Sequence, residues 1–214
     1  MDEEITIIDT NTRNEKIKKF FINNKKKLIV GISIIFILLI GYFSFNEIKK
    51  KNKINLANKF NLSKINFKTE DRNKTVEELT NIIKQHDTTY SPLALYFLID
   101  NDLIKNKNKV NILFDELINK TNLDDEIKNL NIYKKGLFNS NFASENELLK
   151  ILNPLINSES IWKSHALYLV AEYFYTKGES QKAKEFFEQI LTLTQANKDI
   201  RLASQKRVNR DIGE

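Results

Sequence analysis

The chain has 214 residues, 41% hydrophobic and 29% charged, with a net charge of +6 and no cysteine. This length holds one domain beside an anchor, and the missing cysteines exclude disulfides, thiolate metal sites and cysteine nucleophiles. The excess charge is local, since residues 46–68 hold seven basic side chains and only Glu47 while residues 69–214 hold 20 basic and 22 acidic groups, so a basic nucleic-acid-binding domain is excluded as well.

Residues 1–27 begin "MDEEI" and hold seven basic and five acidic groups. They lead into 18 uncharged residues, Leu28–Phe45, in which only Ser33 and Ser44 are polar. A helix of that length rises about 27 Å, close to the roughly 30 Å hydrocarbon core of a bilayer. A buried helix of a soluble protein would show a polar stripe, and this run has none. A cleaved signal peptide has a shorter apolar region and a small-residue cleavage site. The exit "GYFSFNEIKKK" offers no such site, so 28–45 reads as an uncleaved signal anchor. Gly31 and Gly41 are too far apart for a GxxxG pair. Residues 13–27 carry seven basic side chains against five in residues 46–60. The positive-inside rule then gives a cytoplasmic N-tail and places 46–214 on the far side. The basic collar after the span is expected to reach anionic head groups.

Beyond the span the chain has two prolines and few glycines, so long helices with short breaks are predicted. The first continues out of the membrane through Ile54, Leu56, Phe60 and Leu62. A second runs from 74 to 84 with Val76, Leu79, Ile82 and Ile83 inward. "TTYSP" breaks the chain, and Ser91 reads as an N-cap with Pro92 in the first turn. Leu93, Leu95, Tyr96, Phe97, Ile99 and Leu103 form the next apolar face, followed by a helix over 109–120. Asp124 to Glu126 lack the glycine and alternating ligands of a calcium loop and read as the acidic first turn of a helix over 124–138. Its apolar residues are Ile127, Leu130, Tyr133, Leu137 and Phe138. Ser144 and Glu147 have the spacing of a capping box, and Pro154 implies a kink or a terminus. Helices over 160–178, 179–193 and 197–210 complete the chain.

This layout gives four helical hairpins and a terminal helix. The hairpin starts near 91, 124 and 161 recur with a period in the thirties, a solenoid signal, with an irregular helical bundle as the alternative. No HExxH, P-loop, GxSxG or GxGxxG motif occurs, and His86 and His165 lie far apart. The expectation is a protein that is not an enzyme, with no cofactor, metal or small-molecule substrate.

The segment "ALYLVAEYFYTKGESQKAKEFFEQIL" resembles a tetratricopeptide repeat through Leu167, Val170, Ala171, Phe174, Gly178, Ala183 and Phe187. It departs from that pattern at Ser180, at Ile190 and in lacking the final proline. The whole layout is similar to the YfgM-like family of membrane-anchored tetratricopeptide proteins. That resemblance implies an ancillary subunit of the SecYEG translocon in the inner membrane. Its repeat domain would be periplasmic and would associate with a chaperone of the peptidyl-prolyl isomerase type. The same repeats also serve adaptors of other envelope assemblies, such as cell division or outer-membrane protein insertion. In such a hairpin the first helix lines a groove, and His165, Tyr168, Glu172, Tyr175 and Thr176 form one stripe beside the core residues. They are candidates for partner binding; the alternative packs the tyrosines against the preceding hairpin or the terminal helix.

Overall fold

The computed structural model describes residues 2–67 and 72–211. Lys68 of the basic collar and the "MDEEI" side chains lie outside what is described. The described chain is all-α: α1 (Asp2–Asn66), α2 (Arg72–Ile83), α3 (Tyr90–Asp100), α4 (Lys107–Lys120), α5 (Asp125–Asn139), α6 (Glu145–Ile156), α7 (Lys163–Thr176), α8 (Ser180–Thr192) and α9 (Lys198–Lys206), with a π-helical turn over Arg207–Asp211. It divides into two compact units, Met1–Asn55 and Leu56–Glu214.

The first unit is helical from Asp2, through the charged tail and the apolar run. No glycine or proline interrupts it before Gly31. The helix is long and apolar enough to cross a membrane, and its most apolar 18-residue window is 0% buried.

In the second unit Leu56, Phe60 and Ser63 face inward, and the Ser63 hydroxyl donates to Glu78 at 2.6 Å. The helix continues through Leu62 as expected, and Leu62 is 56% exposed because positions 56, 60 and 63 share a stripe at i, i+4, i+7 that turns 62 outward.

Leu79, Ile82 and Ile83 of α2 meet Ala94, Leu95 and Leu98 of α3 in the first core. The start of α3 differs from expectation. Ser91 is inside the helix and donates to the Ile82 carbonyl, while Asp87 Oδ1 accepts from the backbone N–H groups of Thr89 and Tyr90 at 2.9 and 2.7 Å. Small Ser91 and Ala94 let α3 approach α2 closely. These two helices make the closest early pair, and α3 also contacts α4. Leu93 is turned outward.

The capping box at Ser144 and Glu147 is present, and α6 ends two residues after Pro154. Later contacts link α5 with α6, α6 with α7, α7 with α8 and α8 with α9, and also α5 with α7 and α7 with α9. Two hydrophobic cores result, one on α2–α4 with Phe60 and one on α6–α8.

Helix α5 lies between the cores and is polar where burial was expected to be apolar. Its buried positions are Asn131, Gly136 and Asn139, while Ile127 and Leu137 are 41% and 49% exposed. Asn111 and Asn139 donate to each other's side-chain oxygens at 2.9 and 2.7 Å, and Tyr96 Oη donates to Asn131 at 2.7 Å. Burial pushes the Tyr96 phenol up to about 12. Buried polar atoms are tolerated here because each finds a partner.

Candidate functional site

Helix α7 and its surroundings carry every residue expected at a binding face. Leu167, Val170, Ala171 and Phe174 are buried, as are Ala183 and Phe187 of α8. Gly178 closes α7 with φ 77°, and the Glu179 N–H reaches the Phe174 carbonyl at 3.0 Å. This is the six-to-one bond of a left-handed helix terminator. Phe174 stacks on Phe186 at 5.6 Å.

The stripe His165, Tyr168, Glu172, Tyr175, Thr176 is split between two environments. The Arg207 guanidinium donates from Nε and Nη2 to the two Glu172 oxygens at 2.7 and 2.8 Å, and it lies 4.4 Å over the Tyr175 ring. Tyr168 meets Phe187 edge-on at 5.6 Å. Burial, and then Glu172 beside it, push the Tyr168 phenol up. Arg207 belongs to the π-helical turn, so the chain's own C-terminal segment covers the middle of the stripe. Thr176 is exposed and donates to the Tyr173 carbonyl at 2.9 Å.

His165 sits apart, at the N-terminal end of α7. Its ring centroid is 5.0 Å from Trp162 and 5.7 Å from Tyr133, and Tyr133 stacks on Trp162 at 5.6 Å. Two elements build this corner. Ser160 accepts from the Trp162 N–H at 3.1 Å and donates to Glu126 at 2.7 Å, which fixes the entry into α7. Asn197 accepts from Asp199 and Ile200, which caps α9. Between them lies a half-open pocket of about 260 Å³ lined by Ile161, Trp162, His165, Gln195 and Asn197. Ile161 is 63% exposed.

His165 Nδ1 is buried and has no hydrogen-bond partner. Burial pushes the imidazole below its usual range; the Ile161 carbonyl offsets part of this without making a bond of ordinary geometry. The imidazole ring, a tryptophan face, the exposed Ile161 and two side-chain amides at the rim form an apolar corner with polar edges, suited to a protein side chain. Sequence reasoning missed Ile161, Trp162, Gln195 and Asn197. The signal available was an isoleucine beside the only tryptophan, just ahead of a helix.

Among the described residues, no group of three or more His, Asp or Glu is placed to hold a metal ion. No family model, curated protein or solved structure matches the chain.

Proposed function

We propose that this chain is a membrane-anchored helical adaptor that binds protein partners on the side of the membrane away from its N-tail. The single observation that carries this is the half-open pocket at Ile161, Trp162 and His165, where an exposed isoleucine stands beside a tryptophan face. Aromatic anchors in desolvated pockets are the usual centre of protein recognition. Two features add support: the apolar span over 28–45 and the lysine asymmetry across it.

Within that class, the resemblance to YfgM-like proteins favours an ancillary subunit of the translocon. The fold would be an α-solenoid of tetratricopeptide-like hairpins with a chaperone of the peptidyl-prolyl isomerase type as neighbour. It needs no cofactor and performs no catalysis in this reading. A photo-crosslinking amino acid in place of Ile161, in native membranes, tests it. Adducts to the translocon channel and to such a chaperone are expected. Adducts to division or outer-membrane assembly proteins alone would overturn the translocon assignment, and no protein adduct at all would overturn the adaptor reading.

A further inference from the structure

Ahead of the span, α1 carries a second apolar surface. Ile17, Phe20 and Phe21 are 47%, 57% and 57% exposed, and the two phenylalanine rings meet edge-on at 6.0 Å. With Asn24 and Leu28 they follow the spacing i, i+3, i+4, i+7, i+11, so they share one face, about 100° wide, that runs into the span. Asn24, on the same face, donates its amide to the Phe20 carbonyl at 3.0 Å. Lys18 and Lys25 flank the face on one side and Lys16 and Lys27 on the other, with Lys19 and Lys26 opposite; Arg13 lies on the face itself and the exposed Ile22 lies away from it.

We propose that residues 13–27 form an amphipathic helix that binds the anionic lipid surface of the leaflet from which the span begins. Two observations select lipid as the occupant. The apolar face is continuous with a segment that already reads as membrane-embedded. The basic residues Arg13, Lys16, Lys18, Lys19, Lys25, Lys26 and Lys27 complement acidic head groups, with Glu15 the only acid among them. Long lysine stems beside an apolar stripe are the pattern of helices lying at an interface. The proposal rests on the span and not on the identity of any protein partner.

Geometry adds a requirement. A helix standing upright would lift Phe20 about 10 Å above Lys27, beyond a head-group layer of roughly 5–7 Å. The segment must therefore lean or bend onto the surface. The weakest stretch for that is Asn23–Lys27, where two poor helix formers precede three adjacent like charges.

The absence of cysteine makes the test clean. Spin labels are placed on the full chain at Ile17→Cys, on the apolar face, and at Lys19→Cys, on the opposite one. The chain is reconstituted in nanodiscs of phosphatidylcholine, with or without phosphatidylglycerol. In the anionic discs, the label at 17 should be several-fold less accessible to a water-soluble nickel chelate than the label at 19, and more accessible to oxygen. Replacing Phe20 and Phe21 with serine should abolish the difference. Equal nickel accessibility at 17 and 19 in anionic discs would overturn the proposal. Equal immersion in both lipid mixtures would overturn the anionic assignment. Spin–spin broadening at 17 would point to a second copy as the occupant and overturn lipid.

Discussion

Among the described residues, three take a positive φ shortly after a helix end, yet only one is glycine: His86 at 54°, Asp102 at 49° and Gly178 at 77°. A Cβ at Gly178 would meet nothing within 4 Å, so the barrier to substitution is backbone strain and not space. Gly178→Ala should cost about 1 kcal/mol and Gly178→Val more. A chemical melt of each variant checks this. Gly136 is the opposite case. An added Cβ would fall 2.9 Å from Leu152 Cγ and closer to its Cδ2, inside the contact of α5 with α6. Gly136→Ala should destabilise by about 1–3 kcal/mol through overpacking. His165 gives a pH signature. Burial holds its folded pKa below the usual 6.5, so acid protonates the unfolded chain first. Its neutral form supports stability above about 6.5, and that contribution is lost as pH falls from there towards the folded value. Thermal melts at neutral and mildly acidic pH should show a smaller acid-induced drop for His165→Gln than for the native chain.

At the scale of elements, the hairpin of α7 and α8 is the most legible part of the sequence. Its alanines, phenylalanines and Gly178 each do a local job that spacing reveals. The span is legible for the same reason, since an uncharged run needs no tertiary context. Helix α5 was not legible. Asparagine and glycine in its sequence look like surface positions, and they are buried because partners from α3, α4 and α6 come to them. The groove stripe was only half legible, because nothing in α7 announces that Arg207 folds back onto Glu172 and Tyr175. Arg207→Ala should cost roughly 1 kcal/mol, discounted for partial exposure of a charge-assisted pair. Hydrogen exchange should then speed up over 198–211 while α2–α4 stay protected. If exchange in α9 is unchanged, the ion pair does not hold the C-terminal segment. The pocket makes its own prediction. Trp162 is the only tryptophan, so its emission reports on that corner alone. A peptide with a central phenylalanine should shift it saturably, and the same peptide with alanine there should not. Absence of any shift with the phenylalanine peptide would remove the pocket as a recognition site.

At the scale of the whole molecule, the chain comprises an apolar span and a helical unit with two cores and an aromatic corner. The adaptor reading depends on which side of the membrane that unit occupies, because the proposed partners lie on the side away from the cytoplasm. The charge asymmetry that sets this is modest, seven basic residues before the span against five after it. The most direct measurement is labelling of single-cysteine variants of the full chain with a membrane-impermeant maleimide, in spheroplasts and after detergent. The sites are Lys18→Cys ahead of the span and Glu185→Cys on the exposed face of α8. The account predicts labelling at 185 in intact spheroplasts and at 18 only after permeabilisation. Labelling at 18 with protection at 185 would place the helical unit in the cytoplasm and contradict it.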